Sequence, residues 1–288
     1  MKIPSNKVRD IVQYFRHELS ALYEKEEIEK FIEFCFFDFV RMTKSDLLLK
    51  GESTVTESDL LRFHFAVKDL KRGKPVQYIL GKAWFYGMEF SVTPDVLIPR
   101  PETEELVQLV VEEAKAHPET FSIADIGTGS GCIAASLKKK IPRAHVYAVD
   151  VSEPALAVAR ENAQKLETEI AFLHLDILRA EEQGKIPSVM FIVSNPPYVK
   201  NSERSSMQKN VTDYEPHTAL FVPDEDALVF YRALAALGKA KLKPGGKIFV
   251  EINEALGPET CILFQKSGYP DVQLKQDLRG KDRFVVAG

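Results

Sequence analysis

The segment Asp125-Ile126-Gly127-Thr128-Gly129-Ser130-Gly131 constrains this chain more than any other. A short apolar run, Ser122–Ile126, leads into it, and helical spacing over Gly131–Lys140 follows. Alternate glycines let the backbone swing from strand to helix and approach a ligand with no Cβ in the way. A turn of this kind belongs to an open α/β sheet, whose ligands lie at the carboxyl ends of the strands. The surrounding pattern agrees. His145–Val149, Ile170–Leu175, Val189–Val193 and Lys247–Ile252 read as strands. Pro154–Leu166, Ala227–Leu242 and Pro258–Ser267 read as helices among them. The alternation predicts a mostly parallel sheet with helices on both faces. Val272–Leu274 and Arg283–Ala287, joined through Gly280, are expected to add an antiparallel edge. Pro244-Gly245-Gly246 is expected to mark a boundary before the strand Lys247–Ile252.

The first quarter of the chain has a different rhythm. Ile11, Tyr14, Phe15, Leu19 and Leu22 recur at helical spacing, as do Ile28, Phe31, Ile32, Cys35, Phe36 and Phe39 within Glu26–Met42. Thr56-Glu57-Ser58-Asp59 opens a further helix, its side chains suited to free amide groups and the positive end of the helix dipole. Gly73 and Pro75 punctuate the chain after it. The expectation is a helical bundle over 1–74, a linker carrying a β-hairpin (Lys82–Val92) over 75–101, and the α/β domain over 102–288.

Several function classes are poorly matched. Lys and Arg number 38 against 42 Asp and Glu, a net charge of −4, which gives no general grip on a phosphate backbone. The three cysteines, Cys35, Cys132 and Cys261, lie too far apart in sequence for a CxxC pair, so neither a disulfide framework nor a metal site is expected. The opening MKIPSNKVRDIVQYF lacks the apolar core of a signal peptide, and no apolar run approaches the ~20 residues that span a bilayer. The reading is a cytoplasmic protein that does not engage membranes.

Two cofactors compete for the glycine turn. The next strand is followed by Asp150, nineteen residues after Gly131, where a carboxylate can accept the hydroxyl hydrogens of a ribose. NAD-binding turns read G-x-G-x-x-G and seat a pyrophosphate on a helix N-terminus. Here the spacing is G-x-G-x-G, with Asp125 two residues before the first glycine. S-adenosylmethionine carries an ammonium and no phosphate, so the acidic turn favours the methyl donor over NAD. Asp176 is placed to read an adenine amine, with Ile177 against the ring.

The most informative stretch is the apolar strand that ends in Ser194-Asn195-Pro196-Pro197-Tyr198. Two prolines cannot continue a strand ladder, so the chain must leave the sheet there. They stiffen the loop and leave the carbonyls of Asn195 and Pro196 free to accept hydrogen bonds. The Asn195 side chain adds a third acceptor, and Tyr198 a flat apolar face. That set suits a planar NH2 group on a carbonyl or a ring, whose lone pair is delocalised. Gripping both N–H bonds favours a more nucleophilic nitrogen and holds it in line with a methyl sulfonium. The proton becomes acidic after transfer, so no dedicated base is required.

These motifs resemble the HemK/PrmC family of protein-(glutamine-N5) methyltransferases. The matching text is Phe85–Val107 with its IPRPETE loop, Asp125–Ala134, Ala148–Leu156, Ile192–Val199, Glu215–Leu220, Leu242–Ile252 and Gly280–Ala287. The resemblance covers the chain from about Gly73 onward, and the helical segment before it is of similar size. It implies a Rossmann-type, class I S-adenosylmethionine-dependent methyltransferase domain behind an N-terminal helical domain. The implied reaction methylates the Gly-Gly-Gln glutamine of class I peptide chain release factors in support of translation termination, with S-adenosylhomocysteine as product. The implied cofactor residues are Gly127, Thr128, Gly129, Ser130, Gly131, Asp150, Ile177 and Asn195. Asn195, Pro196, Pro197 and Tyr198 would hold the target amide. Arg100 is expected near the cofactor, or else in an ion pair with Glu102 or Glu104. Relatives carry a glycine-rich stretch where this chain has Phe221–Asp226, and often an aromatic residue at the position of Ile177.

Three other readings stand beside it. Ribosomal protein L3 glutamine methylation shares the fold and the NPPY motif. N6-adenine DNA methylation also suits NPPY but calls for a basic face that the charge balance does not supply. A non-catalytic Rossmann scaffold would bind the ligand without turnover. The partners expected are release factors, with no direct nucleic acid and no metal, for a protein acting as a monomer whose helical domain docks the substrate.

Overall fold

The fold is that of a computed structural model, which describes residues 5–288. The first four residues of the expected helical domain, and of the opening read as lacking a leader, lie outside the described residues. Two compact units divide the chain: residues up to Lys82 together with Gln208–Tyr214, and Ala83–Met207 together with Glu215–Gly288. The segment expected as a linker, 75–101, is therefore split at Lys82. A short helix before that point belongs to the first unit, and the strands and loop after it belong to the second.

The first unit holds α1 (Val8–Leu19), α2 (Lys25–Val40), α3 (Lys44–Leu49), α4 (Glu57–Leu70) and α5 (Val76–Leu80). Ile11, Phe15 and Leu19 of α1 meet Ile32, Cys35 and Phe36 of α2 and Phe63 and Val67 of α4 in one apolar core. Spacings of three and four residues put those side chains on one stripe of each helix. Phe36 and Phe63 pack with ring centroids 4.4 Å apart. Thr56 caps α4 as its sequence predicts, accepting the Asp59 amide at 3.1 Å. The helix expected over Glu26–Met42 stops at Val40 because Arg41 takes a left-handed conformation (φ 56°). α3 was not expected; Thr43 and Asp46 start it with reciprocal capping bonds.

The second unit opens with a two-stranded sheet of β1 (Lys82–Phe85) and β2 (Met88–Ser91), then α6 (Pro101–Ala114). β3 (Ser122–Ile126), α7 (Cys132–Lys140), β4 (His145–Asp150), α8 (Glu153–Lys165), β5 (Ile170–His174), α9 (Ala180–Gln183) and β6 (Val189–Ser194) follow. Two short strands, β7 (Val199–Lys200) and β8 (Phe221–Val222), pair in parallel with each other, on either side in sequence of α10 (Lys209–Tyr214), which belongs to the first unit. The chain ends with α11 (Val229–Lys241), β9 (Leu242–Glu251), α12 (Gly257–Lys266), β10 (Val272–Gln276) and β11 (Asp282–Ala287).

Seven strands form one sheet in the order β10-β11-β9-β6-β3-β4-β5. β9, β6, β3, β4 and β5 run parallel, and β11 is antiparallel to both β9 and β10. The parallel sheet and its antiparallel edge are as the alternation predicts. Both faces are covered. Phe191, Val193, Phe249 and Phe284 face one core, while Ile192, Ile248, Val250 and Val285 face the other. This is the period of two expected of strands buried on both sides.

One boundary differs. Pro244-Gly245-Gly246 does not precede the strand but lies within β9. Val189 of β6 pairs with Leu242 and Phe191 with Lys247, so the proline and glycines are looped out of the ladder and pairing resumes beyond them. A proline cannot donate to a ladder, and the local loop resolves that conflict.

Candidate active site

Strand order places the site. β4 and β5 lie to one side of β3 while β6 and β9 lie to the other, so the chain reverses direction between β3 and β6. The carboxyl ends of strands at such a switch point leave a crevice. A cavity of about 440 Å³ is there, a volume in the range of small-molecule sites. Ile126 and Gly127 at the end of β3, Asp150 at the end of β4, Asp176 beyond β5 and Asn195 beyond β6 all line it.

The glycine turn is built from backbone. The amides of Gly127 and Thr128 both donate to the Val149 carbonyl, at 2.8 and 3.0 Å, which ties the turn to β4. Gly129 has φ +54° and a Cβ there would meet nothing within 4 Å, so the turn leaves open space on its outer side. Gly131 (φ +77°) has a second constraint: a Cβ would lie 3.0 Å from the Ala159 Cβ on α8. Asp125 is fully buried (0% exposed) beneath the turn. Its Oδ2 accepts the Thr128 hydroxyl at 2.6 Å and the Ala134 amide at 3.1 Å. Burial pushes its carboxyl up to about 7, and its Oδ1 finds no donor among the described residues.

Asp150 faces the cavity with both oxygens oriented. Oδ2 accepts the Gly129 amide and Oδ1 the Ser152 amide, each at 2.9 Å. Each oxygen keeps a lone pair for a further donor. Burial raises this carboxyl too, against the amide bonds that pull it down. Ile177 lines the cavity, as does Asp176, whose Oδ1 accepts the Leu178 amide at 2.9 Å.

The corner after β6 is held by side chains. Ser194 Oγ donates to the Ile126 carbonyl at 2.7 Å, locking the end of β6 to the end of β3. Asn195 Nδ2 donates to Thr103 Oγ1 at 3.0 Å, and Thr103 Oγ1 donates to Glu251 Oε2 at 2.7 Å. Tyr198 donates to Glu251 Oε1 at 3.1 Å. Glu251 and Thr103 are 2% and 3% exposed. Burial holds the Glu251 carboxyl above its ordinary range, against the hydroxyls of Thr103 and Tyr198 and the charge of Arg283. Burial and the Glu251 charge likewise raise the Tyr198 phenol.

Of the expected residues, the cavity gathers Gly127, Gly129, Asp150, Asp176, Ile177, Asn195 and Pro197. Thr128, Ser130, Gly131 and Asp125 are not on its wall; they shape the turn from behind. Pro196 is buried in the corner, and neither it nor Tyr198 lines the cavity. Arg100 corrects its expected pairing. It bonds neither Glu102 nor Glu104 but the buried Glu215, at 2.6 Å. Glu215 also accepts the Ile98 amide at 3.2 Å, so the IPRPETE loop is clamped to the Glu215–Leu220 segment. Glu104 instead accepts the Tyr86 amide at 2.8 Å.

Sequence reading missed other parts. Asp95, Val96 and Leu97, assigned to the linker, line the cavity, as do Phe221, Pro223 and Phe230. The departing stretch Phe221–Asp226 thus forms wall as well as strand β8. Its Asp224 accepts both the amide and the hydroxyl of Ser202, each at 2.9 Å. Asn162 was also missed. Fully buried, it donates to the carbonyls of Ser91 and Ser130, both at 2.9 Å, and joins β2 to the glycine turn. Among the described residues no group of three or more His, Cys, Asp or Glu is placed to hold a metal ion. No helix among them is long and apolar enough to cross a membrane.

Known proteins resemble this chain along its length. A family model described as the PrmC N-terminal domain matches residues 10–81, within the first unit, and one described as the methyltransferase small domain matches 103–213. A release factor glutamine methyltransferase of Flavobacterium psychrophilum is 42% identical over 273 residues, covering 94% of this chain and 95% of that protein. One of Bacteroides thetaiotaomicron is 42% identical over 278 residues, covering 96% and 98%. Among solved structures, a methyltransferase from Pyrococcus furiosus shares the fold, with a TM-score of 0.50 at 17% identity over 81% of this chain and 98% of that one.

Proposed function

This chain belongs to the family of release factor glutamine methyltransferases, and from that premise we propose that it methylates the side-chain nitrogen of the glutamine in the Gly-Gly-Gln motif of class I release factors. The observation that carries the reading is the placement of Asn195. It stands on the cavity wall with Gly127, Gly129 and Asp150, and its Nδ2 is tied back to Thr103. The Oδ1 acceptor is left without a donor among the described residues.

The cavity suits S-adenosylmethionine. The open side of Gly129 accepts a close ligand, Asp150 has lone pairs for two ribose hydroxyls, and Ile177 gives an apolar surface for an adenine. Asp176 is the acceptor nearest in sequence for the adenine amine. No phosphate is needed to fill the turn. When bound, this cofactor supplies an electrophilic methyl group on a sulfonium.

The residues of the chain then have distinct tasks. Asn195 Oδ1 and the Pro196 carbonyl accept the two N–H bonds of the glutamine amide. The Pro196 carbonyl is held by a corner that two prolines and the Ser194 bond make rigid, and the Asn195 side chain is held by its bond to Thr103, so the orientation is set before the substrate arrives. Pro197 and the apolar wall exclude water from the nitrogen. The alkylated nitrogen is acidic, and it gives up one proton to solvent when the product leaves the cavity. Buried supports behind the turn and the corner, Asp125 and Glu251, touch neither reactant.

The first unit docks the protein substrate in this reading. It leaves Phe34, Phe37, Leu61 and Phe65 exposed, apolar side chains that a protein partner can cover. The protein acts as a monomer in the cytoplasm, where Cys35, Cys132 and Cys261 stay reduced.

The test is transfer of labelled methyl groups from S-adenosylmethionine to purified release factor, to the factor with Gly-Gly-Gln changed to Gly-Gly-Ala, to ribosomal protein L3 and to DNA. Label on the intact factor alone is expected. Label that survives the glutamine change, or that goes to L3 or DNA instead, overturns the reading.

A further inference from the structure

We propose that Glu251 is a positioning residue that fixes which way round the Asn195 carboxamide stands, and so which polarity the corner offers to a substrate nitrogen. The inference rests on the reading above and goes beyond it. The two ends of an asparagine amide have nearly the same size and shape. Half a turn about the last side-chain bond exchanges an acceptor for two donors. With the oxygen toward the cavity, Asn195 grips an N–H. With the nitrogen there, it opposes the substrate NH2 with hydrogens of its own. Proline rigidity does not choose between the two, because it fixes backbone only.

With Glu251 ionised, the form that the Thr103 and Tyr198 hydroxyls and the Arg283 charge favour, the choice is made by a chain of hydrogen bonds with one sense. An ionised carboxylate accepts and never donates. Thr103 has a single hydroxyl hydrogen, and its Oγ1 lies 2.7 Å from Glu251 Oε2, so that hydrogen goes to Glu251. Thr103 Oγ1 then has only lone pairs for Asn195. It must accept from Nδ2, which lies 3.0 Å away, and Oδ1 is left as the free end. The other carboxylate oxygen is occupied by the Tyr198 hydroxyl at 3.1 Å, which draws a second residue of the same corner onto the same anchor. Glu251 closes β9 and pairs with Phe284 of β11, so its position is set by the sheet ladder. Its burial leaves it no water to answer to.

Glu251→Gln has nearly the same shape and a different polarity. Its amide can donate to Thr103, whose hydrogen then turns to Asn195 Oδ1 and inverts the carboxamide. Methyl transfer to release factor, affinity for S-adenosylhomocysteine and thermal stability are measured for the wild type, Glu251→Gln, Thr103→Val and Thr103→Ser. A roughly 100-fold loss in kcat/KM is expected for Glu251→Gln, carried mainly by kcat, with product affinity and melting temperature held. Thr103→Val, which removes the hydroxyl and keeps the carboxylate, should lose as much. Thr103→Ser, which keeps the hydroxyl, should restore wild-type rates.

Wild-type turnover in Glu251→Gln or Thr103→Val overturns the proposal. So does a Thr103→Ser protein as impaired as Thr103→Val, or a loss matched by weaker product binding, since either marks a brace of the fold. If Glu251→Gln does not fold, the valine and serine pair decides. A wild-type protein that moves no methyl group to the glutamine removes the underlying reading instead, and does so before any variant is compared.

Discussion

β3 ends in a turn made of glycines, and its neighbour β6 ends in a corner made of prolines. Each rests on a buried carboxylate, Asp125 under the turn and Glu251 behind the corner. The two supports work differently. Asp125 holds backbone, through the Thr128 hydroxyl and the Ala134 amide, and one of its oxygens has no partner among the described residues. Glu251 holds side chains, Thr103 and Tyr198, and both of its oxygens are engaged. The difference matches what each strand end must recognise. A turn that cradles a ligand needs shape, which backbone supplies. A corner that activates an amide needs polarity, which only oriented side chains supply.

Four substitutions put that contrast under load. The largest effect is expected at the corner: Asn195→Ala should lower methyl transfer roughly 1,000-fold, as removal of a preorganised polar group does. Cofactor affinity and melting temperature should change little, and turnover near wild type would take Asn195 out of the reaction. At the turn, Asp150→Ala should weaken cofactor binding roughly 10- to 100-fold, read by calorimetry with S-adenosylhomocysteine. Saturating cofactor should then recover most of the rate, which it cannot do for Asn195→Ala.

Gly131→Ala tests shape alone. A methyl group 3.0 Å from the Ala159 Cβ, at φ +77°, should cost about 2 kcal/mol of stability in denaturant melts. An unchanged midpoint would mean the turn and α8 adjust freely. The remaining substitution concerns Asp125. Its folded carboxyl is pushed up to about 7, above the ordinary 3.8, so between those values the folded state binds more protons than the unfolded chain. This contribution to stability is complete below the lower value and is lost as pH rises through the upper one. Asp125→Asn should therefore gain melting temperature relative to wild type as pH is raised from about 4 to about 8. A difference that does not vary with pH would show that Asp125 does not titrate there.

The turn and the corner were both legible in the sequence because each is a run of consecutive residues with its own backbone chemistry. Gly127–Gly131 and Asn195–Tyr198 announce a turn and a strand stop without reference to anything distant. The parallel sheet and the antiparallel edge were legible for a related reason: period and punctuation repeat over many residues. What stayed hidden is pairwise and long-range. Arg100 meets Glu215, 115 positions away, and its nearer acidic neighbours look as good on paper. Asn162 joins Ser91 to Ser130 from the middle of a helix. Glu251 had one visible sign, a lone carboxylate in the otherwise apolar run Ile248–Ile252. A charge in a doubly covered strand needs partners, and they are the threonine of the IPRPETE segment and the tyrosine of the corner.

The most direct test is a structure of the protein with S-adenosylhomocysteine and a peptide that contains Gly-Gly-Gln. The glutamine side-chain nitrogen is expected within hydrogen-bond distance of Asn195 Oδ1 and the Pro196 carbonyl, with the cofactor sulfur on its open side. A glutamine whose carbonyl oxygen meets Asn195, or a peptide seated away from this corner, would contradict the account.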